Sequence, residues 1–444
     1  MFQLLGRRPP PQPPLAAASL AGWLRQAGHA VEIHDGQASV AVDLIAIPAT
    51  SAAWPDAARL AATFPDTPVA VFGSHPTLFP EHALAAPGVD FCVFGDPEDA
   101  FVELLAALAA GEPPRGVLGV GFRDPQPTLN KPRPARRHLN DLPLPAWDLL
   151  DRSAYHLPAS RTRRSAALPV RFSRGCSHAE CLYCARSSSL KRPYLRVEAR
   201  RAARQLAELR EATGVDEVVL VDDEVVVGGD WIREFSGELR NLHKPVQWSC
   251  EVRPSQVDAG ILRAMSDAGC HQVVIGMDVL NTPLLRALEK DQTVATCAQA
   301  VRDARHAALS PVGVFVVGLP GSSPAIERDS VRHALAHGLD AAFFVLYRPA
   351  PGTAGWDSLG WSADQYVHAL QDPMKAVYVP DGFRDAAEVE AVFAEVIHTW
   401  HRDARPWLNL ARRAATDPVL GRMLLRNHAA AMAAPYFNYN GLVP

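Results

Sequence analysis

Three cysteines, Cys176, Cys181 and Cys184, lie within nine residues and are the residues whose type and spacing point most directly to chemistry. Thiolates are the usual ligands of iron–sulfur clusters, and three of them on one short segment can bind three corners of a cubane. Such a cluster leaves its fourth iron without a protein ligand, open to a substrate or a cofactor. The spacing therefore predicts an iron–sulfur site with one open iron.

A zinc site is the alternative that the same segment leaves open. Structural zinc takes four ligands in a closed tetrahedron, and His178 can supply the fourth to give a Cys3His site. The Cys176-x-His178 spacing is cramped, however, and no second Cys or His pair follows at zinc-finger spacing. The other cysteines stand singly in apolar or helical surroundings, where a thiol is most simply a small buried hydrophobic group. They are Cys92, Cys250, Cys270 and Cys297.

The cysteines follow the first of six apolar runs that alternate with helical patterns. The runs are Pro169–Phe172, Glu217–Val221, Val246–Val252, Gln272–Gly276, Gly313–Gly318 and Ala342–Leu346. Their spacing leaves room for a crossover helix each time, which predicts a (β/α)6 partial TIM barrel over residues 166–360. Barrel active sites lie at the C-terminal ends of the strands, and this is where the cysteine segment falls.

An earlier series of apolar runs predicts a second α/β unit, a doubly wound Rossmann-like domain over residues 1–112. Its strand candidates are Phe2–Leu5, Ala30–His34, Leu44–Pro48, Val69–Gly73 and Phe91–Gly95. Residues 113–165 are rich in Pro and Arg and lose apolar periodicity, which indicates an extended connection between domains. Residues 361–444 return to a helical pattern and are predicted to form a C-terminal helical region.

Composition excludes several function classes. The chain has 444 residues and a net charge of −4, so no basic excess points to nucleic acid or an anionic membrane surface. No apolar run is long enough for a membrane span, and the N-terminus soon meets a Pro cluster, which argues against a signal peptide. Seven cysteines in so long a chain do not make a disulfide scaffold. We therefore expect a cytoplasmic protein.

The cysteine segment resembles that of the radical S-adenosylmethionine (SAM) enzymes. The resemblance rests on the three cysteines, on the aromatic Tyr183 before the last of them, and on Ser173-Arg174-Gly175 before the first. The family spacing is C-x3-C-x2-C, whereas this chain has C-x4-C-x2-C, which leaves the assignment of individual ligands less certain. The resemblance implies that the cysteines hold a [4Fe–4S] cluster, that SAM binds its open iron, and that Tyr183 lies beside these cofactors.

The ends of the next two strands carry charged residues in the family's order. Asp222, Asp223 and Glu224 end the second strand, where members bind the SAM amino group or the substrate, and are candidate catalytic residues. Without the resemblance they read equally well as a solvated acidic turn. Arg253 ends the third strand, where the family often has an Arg near the SAM carboxylate. A planar guanidinium suits that role because it pairs with a carboxylate in two places.

The last three strands end in turns that also match the family. Gly276 and Asp278 end the fourth strand, where relatives usually have Gly followed by Glu, and are candidates to bind SAM. Gly318 and Pro320 belong to a turn after the fifth strand that resembles the family's Gly-Leu-Pro-Gly turn beside adenine. Tyr347 ends the sixth strand, before a Pro-rich exit, and is a fourth candidate catalytic residue. Each match alone is weak, because Gly-Pro turns are common after strands.

The N-terminal unit resembles the cobalamin (B12)-binding domains that are fused to radical SAM barrels. The matching segments are Leu20–Leu24, Gly28–Val31, Val71–Thr77 and Val89–Glu98. Within them Gly73, Ser74 and His75 are candidate cofactor-binding residues. The Asp-x-His-x-x-Gly motif by which other B12 enzymes coordinate cobalt is absent, as it is from many fused relatives. Cobalamin binding and a vestigial sheet that binds nothing both remain open.

The resemblance implies radical chemistry on a small natural product, supported by an electron donor such as flavodoxin, ferredoxin or a dedicated reductase. With cobalamin bound, the expected reaction is C-methylation. Without it, the expected reaction is dehydration or deoxygenation of a sugar diol of the aminoglycoside type, with a reductase partner. A non-catalytic iron–sulfur or zinc module is the alternative of another class.

Overall fold

The computed structural model describes residues 12–34, 42–124, 126–155 and 167–433. The first sheet has the strands β1 (Ile45–Pro48), β2 (Val69–Phe72), β3 (Phe91–Val93), β4 (Val120–Asp124) and β5 (Gln126–Leu129), in that order. β1, β2 and β3 are parallel, and β4 and β5 are antiparallel to their neighbours. The helices of this unit are α1 (Leu15–Gln26), α2 (Trp54–Ala61), α3 (Ser74–Leu78), α4 (Pro80–Ala85) and α5 (Pro97–Ala109).

Helices cover both faces of this sheet, so the predicted doubly wound architecture is confirmed. On one face α1 and α5 bury Leu20 and Phe101 against β2 and β3. On the other face α2 and α4 bury Trp54 and Leu84 against the opposite side of the same strands. The residues of β2 are all buried, as expected for a central strand with helices on both sides.

Two of the predicted boundaries need correction. Ala30–His34 forms no strand; Val31 and Ile33 contribute side-chain contacts to two separate cores instead of backbone pairing. The Pro-rich segment from 113 to 165 is not only a connection between domains, because β4 and β5 pair with each other and β4 joins the first sheet beside β3. Val120 and Phe122 alternate into the core there, a pattern too short to stand out among the prolines. The strand predicted at Phe2–Leu5 lies outside the described residues.

The second sheet contains six parallel strands in sequential order. The strands from here on are β6 (Leu168–Val170), β7 (Ser173–Arg174), β8 (Leu195–Arg196), β9 (Glu217–Leu220), β10 (Gln247–Val252), β11 (Cys270–Asp278), β12 (Ser310–Val317) and β13 (Ala341–Leu346). The sheet runs β6-β9-β10-β11-β12-β13, and the short β7 and β8 pair with each other. This is the predicted six-stranded partial barrel, with β6 and β13 as its edges.

Helices follow the barrel strands and close their apolar faces over a continuous core. They are α6 (Ala199–Thr213), α7 (Gly229–Arg240), α8 (Ala259–Asp267), α9 (Thr282–Ala287), α10 (Val294–His306) and α11 (Pro324–His337). Side chains cap several of them: Asp258 accepts from the Ile261 amide at the start of α8, and Thr293 forms a capping box at α10. Such caps satisfy amides that the first helical turn leaves unpaired.

The C-terminal helices join the two units. They are α12 (Ala354–Leu359), α13 (Ala363–Ala369), α14 (Ala386–Arg402), α15 (Ala404–Thr416) and α16 (Pro418–Ala433). α13 packs on the N-terminal domain, where Val367 enters its core and the Gln371 amide donates to the Ala52 carbonyl at 3.1 Å. α14 packs against α11 and β13. In the described part of the chain, no helix has the length and apolarity that crossing a membrane requires.

Candidate active site

The cysteines lie on the loop between β7 and β8, at the C-terminal end of the first barrel strand. Ser173 pairs with Arg196 and Arg174 with Leu195, so the antiparallel pair holds the two ends of the loop together. Gly175 begins the loop at φ 80°, and a Cβ atom there would lie 2.8 Å from the Pro193 carbonyl oxygen. Glycine is therefore required immediately before Cys176.

Glu224 and Arg253 clamp the start of the cysteine loop. One oxygen of Glu224 accepts from the Ser177 amide at 2.9 Å and from the Ser177 hydroxyl at 2.8 Å, and it lies 3.6 Å from the Cys176 Sγ. The other oxygen pairs with the Arg253 Nε. Arg253 in turn donates through Nη2 to the Ser177 hydroxyl at 3.1 Å. Both side chains are almost fully buried, so the clamp is held away from water.

Arg253 is committed to acidic side chains of the protein. Its Nη1 lies 2.8 Å from both carboxylate oxygens of Asp291, in addition to its contact with Glu224. Burial works against its charge, but Glu224 and Asp291 outweigh burial and raise its pKa. In this structure Arg253 supports the cysteine loop. A SAM carboxylate at Arg253, as the sequence predicts, would have to bind a guanidinium that already pairs with Glu224 and Asp291.

The other two acids after β9 have different partners. One oxygen of Asp222 accepts from the Phe172 amide at 2.8 Å and the Ser173 hydroxyl at 2.7 Å, which ties the end of β9 to β7. Burial raises the pKa of Asp222 to about 6, although these hydrogen bonds oppose the shift. Asp223 instead forms an ion pair with Arg186 at 2.9 Å. The three adjacent acids Asp222, Asp223 and Glu224 therefore each bind different partners.

A buried ion pair lies on the other side of the cysteines. Lys290 Nζ is 2.8 Å from Asp278 Oδ2, and both side chains are about nine-tenths buried. Asp278 has φ 56° at a register shift in β11, which turns its side chain out of the regular ladder. Burial raises the pKa of Cys181 to about 12, and the charge of Lys290 opposes that rise. Lys290 thus supplies a positive charge where thiolates would need one.

The donor set fits a cluster better than a zinc ion. Of the two His178 ring nitrogens, Nε2 lies 2.6 Å from the Glu289 carbonyl oxygen, which leaves only Nδ1 as a candidate zinc ligand. In the described residues no three His, Cys, Asp or Glu side chains are gathered as ligands of one metal ion would be. In a cubane the three thiolates bind three different irons, so the three Sγ atoms need not surround a single metal ion. Burial raises the pKa of the Cys184 thiol, and Arg186 and Lys290 oppose that rise by stabilising the thiolate that iron requires.

The ends of β12 and β13 meet the cysteine loop in an apolar cluster. Leu319 and Tyr347 are buried there beside Tyr183, whose ring centroid is 6.5 Å from that of Tyr347. Gly318, at φ 81°, donates its amide to Glu327 at 2.9 Å, which fixes the turn that ends at the half-buried Pro320. Tyr347, one of the four predicted catalytic residues, is buried in this cluster, and burial raises its pKa to about 12.

Gly276 leaves open space at the mouth of the barrel. A Cβ atom built on it would have no neighbour within 4 Å, and its carbonyl accepts from the Gln292 side chain at 3.1 Å. The glycine is therefore not required by protein packing. Space of this kind suits a bound ligand at the end of β11.

A cavity of about 500 Å³ lies between the N-terminal domain and the cysteine loop. This volume falls in the range of small-molecule sites. The N-terminal domain contributes Thr50, Gly73, Ser74, Thr77 and Gly95 to its walls, and the barrel contributes Arg171, Ser173, Gly175, Arg186 and Asp223. Two of the three predicted B12-site residues, Gly73 and Ser74, therefore line a cavity that both domains share.

His75 does not line this cavity. It is fully buried; its Nδ1 is 3.1 Å from the Ser51 hydroxyl and its Nε2 is 3.0 Å from His82 Nδ1. Trp54 stacks on the ring at 4.3 Å. Burial lowers its pKa to about 3, and His82 adds to the effect. Both ring nitrogens of His75 thus have protein partners in this structure, and its role in binding a cofactor stays a prediction.

Arginines of the barrel join the two domains beside the cavity. Arg174 lies 2.9 Å from Asp96 and also pairs with Glu98, both at the start of α5. Arg192 reaches the same Asp96 at 2.6 Å. The B12-type domain is thus fixed by ion pairs to both ends of the cysteine loop.

Two family models match the chain. The model of the Radical SAM superfamily matches residues 170–331, and that of the B12 binding domain matches residues 4–105. The chain therefore combines a Radical SAM superfamily domain with a preceding B12-binding domain. The [4Fe–4S] cluster and SAM that the sequence predicted are the cofactors this class of domain implies.

Two curated proteins and one solved structure are similar to the chain over about two thirds of its length or more. An uncharacterized methyltransferase of Pyrococcus horikoshii is 27% identical over 367 residues, which cover 78% of each chain. An anaerobic magnesium-protoporphyrin IX monomethyl ester cyclase of Synechocystis is 27% identical over 67% of this chain and 63% of its own. The fold is that of the radical SAM methyltransferase TsrM from Kitasatospora setae, with a TM-score of 0.68 at 17% identity over 91% and 87% of the two chains.

Several residues of the radical SAM site escape sequence reasoning. Lys290 and Asp291 stand in a short charged run after α9 and look like a solvated loop, yet Lys290 is buried and both bind predicted site residues. Asp96 and Glu98 begin a helix, where acids are expected for local reasons. Only the position of Arg174 inside the cysteine motif could have pointed to this network.

Proposed function

We propose that the chain methylates a carbon atom of a small molecule by cobalamin-dependent radical SAM chemistry. The observation that carries the proposal is the shared cavity, whose walls come from the B12-type loops on one side and from the cysteine loop on the other. A methyl carrier in the first domain and a radical generator in the second would act on one enclosed substrate. The methyltransferase names of the Pyrococcus relative and of TsrM support the same reaction.

When bound, the cluster and SAM supply a radical that removes hydrogen from an unactivated carbon, and methylcobalamin supplies the methyl group. The chain's own residues position this chemistry. Glu224, Arg253 and Ser177 hold the cysteine loop rigid, while Arg174 and Arg192 keep the B12-type domain against it. Enclosure between the domains excludes water from reactive species. The electron comes from outside the chain, and flavodoxin or ferredoxin is the donor we propose.

Corrin binding is the test of the proposal. The cluster is reconstituted without oxygen, hydroxocobalamin is added, the excess is removed, and bound corrin is read by absorbance against protein and iron. We expect near-stoichiometric corrin beside a full cluster, and S-adenosylhomocysteine as a product once a substrate is found. A full cluster without corrin would sink the methylation proposal and favour a cobalamin-independent radical reaction such as dehydration.

A loop variant provides the matched control. Cys184→Ala removes one cluster ligand but none of the residues that line the cavity. It is expected to lose iron and to retain corrin. Equal loss of both would mean that the corrin signal reports correct folding rather than a separate cobalamin site.

A further inference from the structure

The walls of the shared cavity contain one more basic than acidic side chain. Four arginines and three acids line it, namely Arg171, Arg174, Arg186, Arg192, Asp96, Glu98 and Asp223. Every acid has an arginine partner: Asp96 and Glu98 pair with Arg174, Asp96 also with Arg192, and Asp223 with Arg186. Arg171 is the cation that these pairs leave over.

Arg171 is held in place by its backbone-facing nitrogen. Its Nε donates to the Val221 carbonyl at 3.2 Å, so the guanidinium is anchored at the end of β9. Within the described residues its terminal nitrogens have no hydrogen-bond partner, and the side chain is exposed to the cavity. An arginine fork with a fixed base and free ends matches the geometry of a carboxylate or a phosphate.

The electrostatic surroundings also favour an added anion. Although the side chain faces the cavity, the protein atoms around it limit the hydration of the guanidinium and lower the Arg171 pKa from its usual value. The acids Asp223 and Asp222 oppose this effect, while the positive charges of Arg186 and Arg174 add to it. Asp222 accepts hydrogen bonds from Phe172 and Ser173, and Asp223 pairs with Arg186, so both act on Arg171 through their charge without forming an ion pair with it in the described residues. The charge is left for a ligand to balance.

We propose that Arg171 binds a phosphate or carboxylate group of the ligand that occupies the shared cavity. The proposal rests on the proposed function in taking this cavity as the ligand site. The anion has two possible sources: the phosphate in the nucleotide loop of cobalamin, or an acidic group on the substrate. A neutral sugar or hydrocarbon substrate would leave Arg171 without a partner unless cobalamin supplies the anion.

The anion site is tested first with inorganic phosphate on the cluster-reconstituted full chain. Thermal unfolding is followed in sodium phosphate and in sodium chloride of equal ionic strength. The wild type should be stabilised by phosphate, and Arg171→Gln should lose that response, whereas Arg171→Lys keeps a part of it. The exposed Arg384 on the C-terminal side provides the matched control, and Arg384→Gln should respond as the wild type. No response in the wild type, or an unchanged response in Arg171→Gln, would overturn the proposal.

The source of the anion is decided by two corrinoids. Hydroxocobalamin carries the nucleotide-loop phosphate and dicyanocobinamide lacks it. If cobalamin supplies the anion, Arg171→Gln should weaken hydroxocobalamin binding about 10- to 100-fold, as expected for a charged hydrogen-bonded pair, and leave cobinamide unchanged. Unchanged affinity for both assigns the anion to the substrate. An equal loss for both would mean that Arg171 shapes the cavity, which overturns the proposal.

The phosphate experiment and the corrinoid experiment together distinguish failure of this proposal from failure of the proposed function. A wild type that binds neither corrinoid refutes cobalamin-dependent methylation. The phosphate arm still decides the anion site in that case, because it uses no corrinoid.

Discussion

The buried carboxyl of Glu327 should make the chain less stable as the pH rises from about 4.5 to about 7. Glu327 is 3% exposed, and its Oε1 accepts from the Gly318 amide at 2.9 Å and the Ser322 hydroxyl at 2.6 Å. Burial nevertheless raises its pKa from 4.5 to about 7. Each tenfold change in acidity corresponds to about 1.4 kcal/mol, so keeping this group ionised costs the native state about 3 kcal/mol above pH 7.

The variant Glu327→Gln removes this cost while keeping an acceptor for both donors. The native carboxyl binds a proton more tightly than the unfolded one, so its contribution is complete below pH 4.5 and lost as the pH rises to about 7. At pH 8 we expect the variant to be more stable by about 1–3 kcal/mol, since burying the amide offsets part of the gain. Between pH 8 and pH 5 its advantage should shrink by about 2 kcal/mol.

Urea unfolding of both proteins at matched cluster loading, from pH 5 to pH 8, measures the difference. Glu395→Gln is the control, because Glu395 is a half-exposed carboxyl with a lowered pKa, paired with Arg328 on the adjacent helix. Glu395→Gln should lower the free energy of unfolding slightly, and its difference from the wild type should not show the change of about 2 kcal/mol between pH 8 and pH 5 that is expected for Glu327→Gln. If wild type and Glu327→Gln run parallel across this pH range, burial does not control the titration of Glu327 and the reasoning fails.

Three further changes test the support of the cysteine loop. Gly175→Ala should lower the iron content after reconstitution, because the new Cβ meets the Pro193 carbonyl at 2.8 Å; full iron loading would show that the loop can shift. Arg174→Gln leaves two buried acids short of a partner and should destabilise the chain by about 3 kcal/mol in urea unfolding, and a change within error would show that Arg192 suffices. Lys290→Met removes a buried cation near the cysteines and should lower the reduction potential of the cluster in a redox titration followed by electron paramagnetic resonance. An unchanged potential would mean that Lys290 serves only Asp278.

The sequence predicts those parts of the fold that have a clear pattern of apolar residues. All six barrel strands lie where the buried runs place them, because a strand covered on both faces needs a continuous run. The β4–β5 hairpin was missed since two alternating residues, Val120 and Phe122, carry its whole apolar pattern. Ala30–His34 has the composition of a strand, but its side chains serve two different cores.

The sequence predicts the residues of the candidate site that belong to local motifs, but not the contacts between distant residues. The cysteines, Tyr183 and the strand-end residues follow from local spacing, whereas pairing between distant charges does not. Nothing in the sequence links Lys290 to Asp278 or Arg174 to Glu98, and each of these pairs exists only because the fold brings two elements together. His75 shows the converse, since the sequence predicts its motif position but not the contacts of its ring with Ser51 and His82.

The acids after β9 are predicted to bind the SAM amino group or the substrate, and Arg253 after β10 is predicted to lie near the SAM carboxylate. In this structure Glu224 and Arg253 also hold the cysteine loop through Ser177. These two roles differ in what they require of a guanidinium. Arg253 already makes contacts to Glu224, Asp291 and Ser177, so an added carboxylate must share it with Asp291 or displace that residue. Asp291 is the more exposed of its two acidic partners, with a third of its side chain accessible, and is the one that can move. A ligand carboxylate at Arg253 would therefore release Asp291 while Glu224 stays on the cysteine loop, so binding and loop support can coexist on one arginine.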